Sequence, residues 1–132
     1  VYIDGLGRVA LSDKAFKKHQ KDAIIKQELR QFMRQGKINI PARAIPYRNL
    51  DFDHEHINKE RSHNVTKQEA LHWIESASFS MTVWSGHFER YYSHEGAVYV
   101  DMWDKKIRTA YRKEEFKAGV QQSMEVMKNH GR

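Results

Sequence analysis

Apolar and polar residues follow different rhythms along the chain, and each rhythm predicts a different element. From Ser12, whose small hydroxyl suits an N-cap, about two dozen residues run to Gly36 without Pro or Gly. Phe16, Ala23, Ile25, Leu29, Phe32 and Met33 make a stripe that drifts around the axis, which predicts one long helix with an exposed lysine face. Before it, Val1 to Leu11 is a short apolar stretch broken by Gly5 and Gly7, read as a strand or hairpin. After it, Pro41 and Pro46 among Ile38, Ile40 and Ile45 make residues 37–50 an extended connector. Thr66-Lys67-Gln68-Glu69 is a capping box, and Ala70, Leu71, Ile74 and Ala77 follow at helical spacing, predicting a helix over 67–78.

From Phe79 the period falls to two. Phe88, Arg90 and Tyr92 alternate with Glu89 and Tyr91, then Val98, Val100 and Met102 with Tyr99 and Asp101, then Ile107, Thr109 and Tyr111 with Arg108 and Ala110. Breaks at Ser85-Gly86, His94-Glu95-Gly96 and Asp104-Lys105-Lys106 are short enough for hairpins, so three or four strands form an antiparallel meander. A helix over 113–129, carrying Phe116, Val120, Met124 and Met127 on one face, closes the pattern before Gly131. The predicted fold class is α+β: helices packed on one face of a small antiparallel β-sheet of three or four strands, with a C-terminal helix. The whole of 1–132 reads as a single domain, with 1–50 a basic helical lead-in and 51–132 the core.

Composition narrows the choices. With 132 residues, 39% hydrophobic, 30% charged and a mean hydropathy of −0.84, one thin, well-solvated core is expected. No run approaches the roughly 18 apolar residues of a membrane span, and no signal-peptide pattern opens the chain, so a soluble protein is expected. The first residue, Val1, fits a piece of a longer chain. The absence of cysteine excludes disulfides, thiolate metal sites and cysteine nucleophiles. The net charge is +6, but residues 1–50 hold +7 of it and residues 51–132 hold −1. A basic face favours a polyanionic partner, with a solvated helix face as the plainer reading of Lys14, Lys17, Lys18, Lys21 and Lys26.

The chemistry concentrates in Asp53-His54-Glu55-His56-Ile57-Asn58-Lys59-Glu60-Arg61-Ser62-His63-Asn64. If this stretch is helical, His56, Lys59 or Glu60, and His63 share a face and offer a base, an acid and a cation together. Two histidines can serve as base and acid near neutral pH. Lys59, Arg61 or Arg108 can then stabilise a phosphorane-like transition state, the toolkit of a metal-independent ribonuclease that uses the substrate's 2′-hydroxyl as nucleophile. Two alternatives stand beside it: a metal-dependent DNase holding zinc with His54, His56 and His63, and a non-catalytic interaction domain of a phage or conjugative element. His19, His72, His87, His94 and His130 read as surface residues, and Trp73, Trp84 and Trp103 as core or edge-strand packing. Tyr91, Tyr92, Tyr99 and Tyr111 are candidates for stacking on bases or touching phosphate, or for ordinary strand packing.

The order His56-Ile57, a basic residue, His63-Asn64-Val65-Thr66 entering a helix, Glu89-Arg90-Tyr91-Tyr92, Glu95-Gly96-Ala97-Val98-Tyr99-Val100 and Ile107-Arg108-Thr109-Ala110-Tyr111 resembles one nuclease group over about residues 51–128. This is the phage-associated branch of the barnase/EndoU/colicin/RelE nuclease superfamily, found as C-terminal toxin-like modules of phage minor head proteins and polymorphic toxins. The resemblance implies metal-free cleavage of RNA, tRNA among the candidates, with no cofactor. It implies toxicity in a bacterial cytoplasm after release from a phage particle or secretion, and neutralisation by a cognate immunity protein. Carried over by position, it assigns His56, Arg61, His63, Thr109 and Tyr91 or Tyr92 to catalysis. Lys59, Tyr92, Arg108 and Tyr111 are the expected substrate-binding residues. No isolated glutamate fills a barnase-like base position, so the base is left among His56, His63 and Glu60.

Overall fold

A computed structural model describes residues 2–3, 7–8 and 13–130. The Gly-broken opening stretch forms β1 (Tyr2–Ile3) and β2 (Gly7–Arg8), paired antiparallel. The Pro- and Gly-free stretch forms helix α1 (Asp13–Met33); its expected N-cap, Ser12, lies outside the described residues, as does Gly131. The connector then contributes two short strands, β3 (Lys37–Asn39) and β4 (Asp51–Phe52). Helix α2 (Lys67–Glu75) carries the predicted capping box, with both Thr66–Glu69 bonds made. Strands β5 (Phe79–Val83), β6 (Phe88–Tyr92), β7 (Gly96–Asp101) and β8 (Lys106–Arg112) form the antiparallel meander. A 3₁₀ turn over Lys113–Glu115 precedes helix α3 (Ala118–His130), which therefore begins five residues later than its apolar spacing predicts.

The α+β class holds, but the sheet has six strands in the order β3-β5-β6-β7-β8-β4 rather than three or four. The added pair are edge strands of three and two residues, too short for an alternation to register in the sequence. β3 joins β5 antiparallel, and β4 joins β8 parallel, the one parallel pairing in this sheet.

The helices also divide between the two faces instead of sharing one. Ala70, Trp73 and Ile74 of α2 pack with Tyr91, Val98, Val100 and Ala110 on one face. Phe32 of α1 with Val120 and Met124 of α3 packs on Phe79, Met81, Tyr92 and Ala97 on the other. These strand residues sit at alternate positions, so the meander is covered on both sides, and its residues are apolar or buried on both faces for that reason. α1 runs against α3, and Gly119 lets the two approach: a Cβ there would press on the Glu28 carbonyl. On the α2 face a fully buried carboxylate, Glu89, is satisfied by Asn39 Nδ2 at 2.9 Å and Thr82 Oγ1 at 2.6 Å, with Arg43 3.6 Å away. No helix among the described residues is long and apolar enough to cross a membrane.

Candidate functional site

The histidine-rich segment leaves the end of β4 and folds over the edge of the sheet beside β8. Glu55–Glu60 is a single π-helical turn, closed by the bond from Arg61 N–H to the His56 carbonyl at 3.1 Å. Ile57, fully buried, anchors the turn in the α2-side core. Beyond it the chain bends sharply, with Ser62 and Asn64 both left-handed at φ +55° and +56°. The Asn58 side chain clasps the far end of the bend. Its Nδ2 donates to the Val65 carbonyl and its Oδ1 accepts from Val65 N–H, each at 2.7 Å. His63 is thus placed by a closed loop and not by the helical spacing from His56 that the sequence invites.

His56, Arg61 and His63 of this segment line one wall of a cavity of about 730 Å³. The opposite walls are α1 and α3, including Phe32 and Gly119, with Gln35 from the turn after α1, and its floor is the sheet. Three strands supply that floor in register. Arg90 of β6 lies opposite Tyr99 of β7, which lies opposite Thr109 of β8. Tyr92 and Tyr111 flank the row, and Glu115 and Lys117 project from the turn before α3.

Each histidine is held by a carboxylate. His63 Nδ1 lies 2.9 and 3.1 Å from the two Glu115 oxygens, and His56 Nδ1 lies 3.2 Å from Glu60 Oε2. An ionised carboxylate only accepts, so in both rings Nδ1 carries the hydrogen and Nε2 is left to exchange a proton. Asp53 Oδ1 accepts from His56 N–H at 3.2 Å. That bond, aided by Lys106 and Arg108 against the opposing effect of burial, holds the Asp53 carboxyl below the usual range. The phenols form a chain, with Tyr99 Oη 2.7 Å from Tyr111 Oη and 3.5 Å from Tyr92 Oη. Burial, reinforced by the neighbouring phenols, pushes Tyr92 and Tyr111 far above the ordinary tyrosine value, so both remain donors. The Arg90 guanidinium sits 4.7 Å from the Tyr99 ring centroid and donates to Gln35 Oε1 at 2.9 Å.

Of the residues expected from the sequence, His56, Arg61, His63, Tyr92, Thr109 and Tyr111 come together in this cavity. Tyr91 does not. It points to the opposite face, buried in the α2-side core, and donates to the Arg43 carbonyl at 2.7 Å, so Tyr92 is the tyrosine the cavity holds. Lys59 pairs with Glu55 at 2.9 Å and lies outside the lining, as does Glu60. Arg108 is the extra residue of a β-bulge opposite Tyr99 and Val100, and it is held by Asp53, Asp101 and Asp104 at 3.5, 3.3 and 2.6 Å. It walls a smaller neighbouring cavity. Arg90, Glu115 and Lys117 were not singled out from the sequence. Arg90 was recoverable: a hairpin centred on His94-Glu95 pairs position 90 with 99.

The three histidines proposed as zinc ligands diverge in their partners: His54 meets Asn58 at 3.0 Å, His56 meets Glu60 and His63 meets Glu115. Among the described residues no three His, Asp or Glu side chains converge as a metal-binding group. Compared with models of protein families, with curated proteins and with solved structures, the chain gives no match.

Proposed function

We propose that the chain is a metal-independent ribonuclease domain that cleaves RNA through attack of the 2′-hydroxyl on the adjacent phosphorus. The observation that carries this reading is a single cavity lined by two carboxylate-supported histidines together with Arg61 and Arg90. One histidine takes the 2′-hydroxyl proton at Nε2 as the oxygen bonds to phosphorus. The other gives a proton to the 5′-oxygen as its bond to phosphorus breaks, leaving a 2′,3′-cyclic phosphate and a free 5′-hydroxyl. Arg61 and Arg90 balance the charge that gathers on the non-bridging oxygens, and the protonated phenols of Tyr92 and Tyr111 with the Thr109 hydroxyl supply neutral donors. His63, its side chain 14% exposed against 33% for His56, is the better-shielded ring. The sequence resemblance to toxin-like nuclease modules of phage head proteins points the same way and adds a cognate immunity protein as partner and the bacterial cytoplasm as the place of action.

Incubation with total RNA and tRNA in EDTA tests the reading. The wild type is expected to cleave, and His56→Ala and His63→Ala to lose about 10²- to 10⁴-fold each. Intact RNA after incubation with the wild type, or cleavage that EDTA abolishes and a metal restores, refutes it.

A further inference from the structure

The turn joining β5 to β6 holds a bulky residue where bulky residues seldom sit. Trp84, Ser85 and Gly86 are successively left-handed, with φ of +51°, +56° and +93°, and only the glycine adopts that conformation freely. Strain of this kind persists where surrounding contacts over-determine it. His87 supplies them: its N–H donates to the Trp84 carbonyl at 3.1 Å, and its carbonyl accepts from Met102 N–H at 2.8 Å. Its ring stacks on Trp103 at 3.7 Å and 7°, with Nε2 3.2 Å from Asp101 Oδ1. The β5–β6 and β7–β8 turns are thereby locked to each other. Yet both residues stay largely exposed, Trp84 at 65% and Trp103 at 69%, so the strained turn displays Trp84 instead of burying it.

Beside that ring lies a second cavity of about 340 Å³, bounded by Trp84, Phe88 and Arg108. It shares His56, Arg90, Tyr99 and Thr109 with the larger one, so the two lie side by side against the same side chains. The Arg90 guanidinium lies between them, 6.0 Å from the Trp84 ring and 4.7 Å from the Tyr99 ring. We propose that this second cavity is a nucleobase subsite: one unpaired base of a single-stranded RNA stacks on Trp84, and the phosphate attached to it passes Arg90 into the histidine-lined cavity. The proposal rests on the ribonuclease reading and names how that site takes hold of its substrate. Its volume is at the low end of the roughly 300–1,000 Å³ of small-ligand pockets, which suits one nucleoside. Stacking needs a base whose face is free, which a single strand offers and a duplex does not. Arg108, committed to three carboxylates, serves as a rigid wall, and the cation facing both cavities is Arg90. A protein partner anchored on Trp84 would have no use for a cavity that shares His56 with the histidine-lined one.

Anisotropy titration of a labelled single-stranded 2′-O-methyl RNA hexamer, which has no free 2′-hydroxyl to attack, measures the subsite without turnover. Trp84→Ala is expected to weaken binding about tenfold, Trp84→Phe to keep most of the affinity, and a hexamer with abasic positions to bind wild type and Trp84→Ala alike. Equal hexamer affinity for wild type and Trp84→Ala overturns the subsite and leaves the ring to a protein contact. Undetectable binding by the wild type overturns it as well. Cleavage of unmodified RNA is scored separately. Trp84-sensitive binding without cleavage keeps the subsite and removes the nuclease reading, whereas cleavage with Trp84-insensitive binding does the reverse.

Discussion

Glu115 is the residue that separates the two histidines chemically. It comes from the turn before α3, 52 positions from His63, and both of its oxygens reach the His63 ring nitrogen. His56 depends on Glu60, one π-turn away and largely exposed. Holding a ring in one orientation matters only while the proton moves, so Glu115→Gln is expected to lower kcat with little change in KM. The loss should be smaller than that of His63→Ala, and Glu115→Asp should recover part of it. Steady-state kinetics on a short RNA checks this; a rise in KM at constant kcat would make Glu115 a substrate contact instead. At this scale the sequence was informative about His56, Arg61 and His63, because clustered histidines and arginines stand out by type. It was silent on Glu115, an ordinary glutamate among the charged residues 112–115 until the chain folds back. It left Tyr91 and Tyr92 open because neighbours on a strand differ only in which face they meet, and here both faces are buried.

Among the elements, α2 does the least chemistry and the most placing. Its capping box joins Thr66 to Glu69, and Arg112 of β8 reaches both Glu69, at 2.8 Å, and the Asn64 carbonyl, also at 2.8 Å. The helix start, the strand and the bend carrying His63 are therefore tied at one point. The backbone N–H of Thr66, with Arg112 adding to it against the effect of burial, lowers the Glu69 carboxyl below its ordinary value. A carboxyl depressed in the folded state stabilises the fold above its unfolded pKa, and that contribution fades as pH falls through the lower folded value. Thermal melts should accordingly show the wild type losing stability from about pH 4.3 downward, with Glu69→Gln less stable at pH 7 and flatter across that acid range. Parallel acid profiles for the two proteins would remove Glu69 from this role. The capping box was readable because its four residues are contiguous. The π-turn and the left-handed Ser62 and Asn64 were not, since they follow from the Asn58 clasp on Val65 and from the anchoring of Ile57 in the core.

For the molecule as a whole, the charge segregation seen in the sequence acquires a direction. Lys26 and Arg30 are exposed on α1 and Arg34 just beyond its end, while Phe32 of α1 and the following Gln35 line the main cavity, so these cations stand beside the proposed RNA path. Each phosphate contacted on a single strand adds about −0.7 to the slope of log affinity against log salt. Replacing Lys26, Arg30 and Arg34 together by Gln should flatten that slope in hexamer titrations while leaving the fold intact; an unchanged slope would return these cations to simple solvation. The meander was legible throughout its length because period two is a local signal. The placing of α1 was not, because its drifting stripe says that it packs without saying against what, and the answer is α3, some ninety residues later. The cavity is thus assembled from both ends of the described chain: α1 on one side, Glu115, Lys117 and Gly119 on the other. During synthesis, at about 5–20 residues per second, a nascent chain that has emerged only through β8 has its histidines but neither the carboxylate that orients His63 nor the α3 wall. Assembly of the cavity therefore waits on the residues that follow β8.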